Sequence, residues 1–103
     1  MDKTCVSVVN VKADISISVG DNITLIRDLE NQYDAYAVKC FKQGSFAGYV
    51  SASNYTTLDG CKKNRDIVKY LEDGVIKGKV IGAESRRFKN GADGIIYRVE
   101  LDI

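Results

Sequence analysis

A short polar loop contains the side chains of this chain that are best suited to chemistry. The segment DLENQYD, at positions 28–34, brings carboxylates, amides and a tyrosine together. A carboxylate accepts a hydrogen bond from a sugar hydroxyl and repels a terminal phosphate, and a tyrosine ring stacks on a nucleobase. Alternatively, Asn31 and Asp34 shape a turn while Tyr33 packs inward. The loop by itself is compatible with both interpretations.

Basic side chains that would attract a phosphate occur beside this loop and later in the chain. Arg27 is predicted to end a strand, where it either binds a phosphate or forms an ion pair with Asp28 or Asp34. A later run is expected in the last loop and consists of Arg86, Arg87, Phe88 and Lys89. This run, like the one at 62–65, either binds nucleic acid through charge and stacking or is ordinary solvated surface.

Several classes of catalysis are excluded by composition. The chain has no histidine, so an imidazole base or ligand is absent. Asp28, Glu30 and Asp34 form a candidate Mg²⁺ cluster for a nuclease accessory, but such sites act on phosphates held by other groups, and no GxxxxGK[ST] motif occurs. We therefore expect a protein that is not an enzyme and has no cofactor and no resident metal.

The cysteines and the hydropathy pattern favour a reducing, cytoplasmic environment. The three cysteines are widely spaced and contain no CxxC pair, which argues against a disulfide framework, and Cys40 is expected to be a small buried residue. No apolar run approaches the length of a membrane span, and the first residues lack the pattern of a signal peptide. We expect no membrane partner.

The elements that must position these side chains are mostly strands. Six are predicted, at 4–17, 23–26, 37–42, 46–50, 75–83 and 94–103. The third and fourth are joined by a Gln-Gly-Ser turn and form a hairpin. Between the fourth and fifth, Ile67, Val68 and Leu71 share one stripe of a helical segment, so one or two helices interrupt the sheet.

These elements predict a mainly β fold, a small six-stranded OB-like or SH3-like barrel in a single domain over 1–103. With 103 residues, 45% of them hydrophobic, the chain has enough apolar side chains for one core. Closure protects edge strands, and Gly78 and Gly82 suit a bulge that curls the sheet. The net charge of +1 gives no overall attraction to nucleic acid, so any polyanion site must be local.

Between Arg27 and Val50 the sequence resembles the HIRAN domain. The family pattern is an arginine, an acidic loop, Asn-Pro-Tyr-Asp, an Asn-Ala-Ile/Val strand, and a turn leading to Ile/Val-Gly-Tyr/His-Leu/Val; here the matching strings are RDLENQYDAYAVKC and AGYV. The resemblance implies a modified OB-like barrel, as in Swi/Snf-type helicases, that binds single-stranded DNA and holds a free 3′-hydroxyl end. It assigns the terminal nucleotide to Asn31 and Tyr33, the 3′-hydroxyl to Asp34, and a position beside the site to Tyr49.

The chain departs from the family pattern at several positions. Gln32 replaces the proline, Tyr36 replaces the asparagine before alanine, Ala52 replaces a lysine of the helicase form, and no Arg-Tyr pair occurs near 11–13. These changes remove cations that usually contact phosphates. The expected function is a non-catalytic module that binds single-stranded DNA in DNA repair or replication-fork processing, with a helicase or nuclease as partner protein. The alternative is a protein-interaction or assembly module with a decayed DNA site.

Overall fold

Six antiparallel strands close into a barrel in the computed structural model, which describes residues 4–9, 12–72, 74–87, 91 and 93–103. The strands are β1 Cys5–Val9, β2 Asn22–Arg27, β3 Val38–Lys42, β4 Ser45–Val50, β5 Ile76–Arg87 and β6 Asp93–Leu101. Their order around the barrel is β1-β4-β3-β2-β5-β6, and β6 pairs with β1 to close it. One short helix, α1 at Asn64–Ile67, continues directly into a 3₁₀ turn at Val68–Leu71. The predicted six-stranded barrel with a helical insertion between the fourth and fifth strands is confirmed.

The barrel interior is filled by side chains that alternate along the strands. In β2, Ile23 and Leu25 are buried, and in β3, Val38 and Cys40 are buried, as period-two patterning predicts. The stripe predicted for the helical segment belongs to the same core, which contains Ile67, Val68 and Leu71. No helix within the described ranges is long and apolar enough to cross a membrane.

The β3–β4 hairpin closes through a two-residue turn. Both central residues have positive φ, 51° at Gln43 and 81° at Gly44, which is the conformation of a type I′ turn, whose twist matches that of the flanking strands. The predicted turn is confirmed, and its third residue, Ser45, is already the first residue of β4.

A bulge in β5 helps the sheet to close. The pairing of β5 with β6 changes register between Val80 and Gly82, as the two glycines of this strand suggested. Val80, which is still in register with Val99, also bonds to the turn before β2, accepting from the Gly20 N–H at 2.8 Å and donating to the Asp21 carbonyl at 2.9 Å. Strand β5 is therefore tied to that turn just before its register changes.

Two predicted boundaries were wrong by more than two residues. The first strand ends at Val9 rather than at Ile17, because the chain turns in the following segment, where the Ile15 N–H donates to the Lys12 carbonyl at 3.0 Å. Ile17 is still buried. The apolar residue at this position therefore indicated burial rather than a strand. Strand β5 continues to Arg87, so the placement of the later arginines in a loop was also wrong.

A segment after β4 covers the outside of the barrel. Leu58 packs with Val9 and Ile96 in a second apolar cluster, and the Leu58 N–H donates to the hydroxyl of buried Ser7 at 2.9 Å. In β6, the alternation of Ile95, Tyr97, Val99 and Leu101 in the sequence predicts that these side chains share the apolar face and that Ile96 lies on the other one. In the structure, Ile96 is buried and Ile95 is exposed. Ile96 is buried because the covering segment at 51–63 places Leu58 against it on the outside of the barrel.

Candidate binding groove

A surface groove of about 520 Å³ opens between two parts of the chain. One is the loop at 28–37, which includes the polar segment at 28–34, and the other is the end of β4 with the segment at 51–63 that follows it. Four of the predicted site residues line it, namely Asn31, Tyr33, Asp34 and Tyr49. The opposite wall includes Thr56 from the segment at 51–63 and Asn64 from the start of α1. The structure thus gathers the loop residues and Tyr49, which are separated in sequence, around one concave surface.

Asn31 holds the backbone of the loop. Its side-chain carbonyl accepts the N–H groups of Tyr33 at 2.8 Å and Asp34 at 2.9 Å. The Asp34 carboxylate in turn accepts the N–H of Tyr36 at 2.9 Å. These are the side-chain-to-backbone bonds of Asx turns. Asn31 and Asp34 therefore shape the turns of the loop, as one of the two interpretations of the sequence predicted.

Tyr33 does not pack inward. Its side chain is 98% exposed, although its backbone is fixed by Asn31. A flat aromatic ring is therefore presented to solvent at the rim of the groove from an ordered backbone. Because the backbone of Tyr33 is already held, only the freedom of its side chain is lost when the ring contacts a ligand, which favours binding.

Asp34 connects the loop to the helical insertion. Its second carboxylate oxygen accepts a 2.8 Å hydrogen bond from the side-chain amide of Asn64, which is only 2% exposed. The amide oxygen of Asn64 is itself occupied by the N–H of Arg65 at 2.6 Å. Each oxygen of Asp34 still has a lone pair for an external donor. Asn64 was missed from the sequence, where it stood within a basic run.

Asp28 anchors the loop from beneath. This carboxylate is 8% exposed and accepts the Glu30 N–H at 3.3 Å. It also accepts the Asn31 amide and the Tyr49 hydroxyl, both at 3.5 Å, and it lies 3.8 Å from the ammonium group of Lys39. Asp28 therefore stabilises the loop by bonding to Glu30, Asn31 and Tyr49 at once.

Arg27 lies outside the groove. Its guanidinium donates to the Ala35 carbonyl at 3.2 Å, while its Nε is buried without a partner. It lines a separate surface cavity, and among the described residues it makes no ion pair with Asp28 or Asp34, so that interpretation was wrong. Its observed role is to hold the far end of the loop.

The later basic run is only partly described. Arg86 donates to the Tyr55 carbonyl at 2.9 Å and so fastens the segment at 51–63 to β5. Arg87 forms an exposed ion pair with Asp93 at 3.2 Å. The other two predicted members, Phe88 and Lys89, lie outside the described residues. Neither Arg86 nor Arg87 lines the groove.

The electrostatic character of the groove follows from this arrangement. Its described lining contains the Asp34 carboxylate and no lysine or arginine. Over the described ranges, no three carboxylates or thiols gather into a metal site, and Asp28 is committed to the loop and to Lys39. The candidate Mg²⁺ cluster is not assembled. The groove can stack an aromatic group and accept hydrogen bonds, and it repels a phosphate placed next to Asp34.

No protein-family model matches this chain, and no curated protein and no solved structure matches it significantly.

Proposed function

We propose that this chain is a non-catalytic, HIRAN-like module that binds single-stranded nucleic acid, with the 3′-terminal nucleoside in the groove. The observation that carries the proposal is Tyr33, fully exposed on a loop whose backbone Asn31 holds in place. An exposed aromatic ring on a rigid loop is a stacking platform for a base. The family resemblance assigns the terminal nucleotide to this same loop.

The charge of the groove supports a chain end rather than an internal stretch of strand. Internal nucleotides have a phosphate on both sides, and Asp34 would repel one placed beside it. A free 3′-hydroxyl instead donates to a carboxylate, and both oxygens of Asp34 retain an acceptor site after their bonds to Tyr36 and Asn64. The groove thus favours an uncharged, hydroxyl-bearing terminus.

A second candidate function is supported by the same lining. The described walls contain small apolar and hydroxyl side chains, such as Ala37, Val50 and Thr56, without a cation. Most DNA sites draw much of their affinity from cations that contact phosphates, whereas a groove of this composition also fits an extended polypeptide. The alternative function is a protein-interaction module.

The first experiment compares two ligands on the unaltered protein. Fluorescence anisotropy at low salt measures binding of a single-stranded oligonucleotide with a free 3′-hydroxyl and of the same strand ending in a 3′-phosphate. We expect tighter binding of the free hydroxyl, because Asp34 repels the phosphate. Equal affinities would contradict end recognition, and no binding of either strand would favour the protein-interaction function.

Replacing Tyr33 tests the stacking platform. We expect Tyr33→Ala to weaken oligonucleotide binding by roughly 5- to 150-fold, which corresponds to the loss of about 1–3 kcal/mol from one stacked base. Thermal unfolding should be unchanged, since the ring is 98% exposed. Tyr70→Ala is the matched control, because Tyr70 is exposed on the 3₁₀ turn and does not line the groove. Unchanged affinity of Tyr33→Ala would exclude the platform.

Comparing ligands is a cleaner test of Asp34 than replacing it. In an Asp34→Asn variant, an amide N–H₂ would face either the Tyr36 N–H or the Asn64 amide, both of which are donors to Asp34 in this structure. The substitution would therefore alter the loop as well as the site. A 3′-phosphate on the ligand changes only the group that meets the carboxylate.

A further inference from the structure

Two cysteines that are 56 positions apart in sequence meet on the outside of the barrel. The sulfur atoms of Cys5 and Cys61 lie 3.0 Å apart. The backbone holds them there, since the Lys62 N–H donates to the Cys5 carbonyl at 2.7 Å and Val6 forms a parallel β-bridge with Lys62. In a parallel register the residues before that pair lie opposite each other, with their side chains on the same face.

We propose that Cys5 and Cys61 are an oxidation site at which a peroxide converts the two thiols into a disulfide. Neighbouring strands are spaced about 4.8 Å apart, which lies within the roughly 4.4–6.8 Å between the α-carbons of disulfide-bonded cysteines. The sulfurs must approach by about 1 Å more to reach the bond length of about 2.05 Å. The bridge at Val6 and Lys62 keeps the two backbones in place during that small movement.

The chemistry balances with peroxide as the oxidant. One cysteine, as its thiolate, attacks a peroxide oxygen, the O–O bond breaks, and a sulfenic acid forms as hydroxide leaves. The second sulfur attacks the sulfenic sulfur, the S–S bond forms, and the hydroxyl group leaves as water after taking up a proton. In total, two thiols and one hydrogen peroxide give one disulfide and two waters, and the thiols supply both electrons.

Arg98 is placed to assist this reaction. Its guanidinium lies 3.4 Å from the sulfur of Cys5 and 3.5 Å from that of Cys61. A positive charge at this distance stabilises negative charge as it develops on either sulfur. Both cysteines are also partly exposed, so a small oxidant can reach them.

Cys40 differs from this pair in how deeply it is buried. Its side chain is fully buried in the barrel, and burial raises the pKa of its thiol far above the ordinary range. Burial and the adjacent Cys5 also raise the pKa of Cys61, but only to about 11. The third thiol therefore serves as an internal reference that peroxide should leave unmodified.

The disulfide would tie β1 to the segment at 51–63. Thr56 and Ser53 of that segment line the groove, so the cross-link fixes one of its walls to the barrel. This inference does not depend on what the groove binds.

The test uses the full chain, reduced and then treated with hydrogen peroxide. We expect the intact mass to fall by two hydrogen atoms and peptide mapping to find Cys5 linked to Cys61. Thiols titrated after denaturation should fall from the three of the sequence to one. The melting temperature should rise by about 10 °C or more, because the link closes a long loop in the unfolded chain.

Single replacements provide the controls. Cys5→Ser and Cys61→Ser should each show no intramolecular link, whereas Cys40→Ala should keep it. If Cys40→Ala does not fold, mapping of the unaltered protein still identifies the linked pair. Three free thiols after treatment, a link that includes Cys40, or links only between two chains would each overturn the proposal.

Discussion

At the scale of single residues, most members of the candidate site also hold the loop together. Asn31 and Asp34 close turns. Asp28 accepts hydrogen bonds from three other residues that belong to the loop or lie beside it. Tyr33 differs, because its side chain is almost wholly exposed and its contribution to the fold is small. It is therefore the position at which binding can be tested without disturbing the structure.

Replacing Asp28 should loosen the whole loop. We expect Asp28→Ala to lower the free energy of unfolding by about 1–3 kcal/mol, since it leaves the N–H of Glu30 and the hydroxyl of Tyr49 without their acceptor. Urea unfolding measures this change. Asp59→Ala is the control, because Asp59 is exposed and should change stability by less than about 0.5 kcal/mol. Equal effects of the two replacements would contradict the anchoring role of Asp28.

At the scale of elements, the groove depends on three segments that meet at one side of the barrel. The loop after β2 supplies Tyr33 and Asp34, the end of β4 supplies Tyr49, and α1 supplies Asn64. The barrel strands position these segments, so the packing between strands determines the shape of the site. Of the glycines in β5, Gly78 is the one at which an added β-carbon would come closest to the neighbouring strand.

The two glycines of β5 should respond differently to alanine. A β-carbon at Gly78 would lie 2.8 Å from both the Glu100 carbonyl and a methyl group of Val99, so we expect Gly78→Ala to destabilise the protein by about 1–3 kcal/mol. At Gly82 the nearest atom would be 3.7 Å away, and alanine should be neutral or stabilising by up to about 1 kcal/mol. Thermal or urea unfolding of the pair tests this order. A Gly78→Ala variant as stable as Gly82→Ala would contradict the close packing.

At the scale of the whole molecule, the even balance of charge limits how strongly salt can affect binding. The net charge is +1, with 15 basic and 14 acidic residues, and the described lining of the groove contains no cation.

We therefore expect oligonucleotide affinity to depend only weakly on salt. If one to three phosphates are neutralised, the slope of log K against log salt should lie between about −0.7 and −2, since each neutralised phosphate of a single strand contributes about −0.7. Anisotropy titrations at a series of salt concentrations measure this slope. A slope steeper than about −3 would indicate that binding occurs mainly through basic surfaces outside the groove.

Local sequence patterns predicted much of the architecture. Alternation of apolar residues along β2 and β3 reflects which side chains face the interior, and the stripe of Ile67, Val68 and Leu71 marks the buried side of the helical segment. The turn at Gln43 and Gly44 was visible because glycine accepts positive φ. These features depend on near neighbours in the chain, so the sequence alone determines them.

Contacts between distant segments were not visible in those patterns. The bond from Asn64 to Asp34 and the meeting of Cys5 with Cys61 each join parts of the chain that only closure of the barrel brings together. The direction of Arg27, away from the groove, likewise depends on the carbonyl of Ala35 across the loop. Residue type and spacing predicted the loop that carries the candidate site. Tertiary packing determines which of its side chains line the groove, because burial and hydrogen bonding are set by segments far away in sequence.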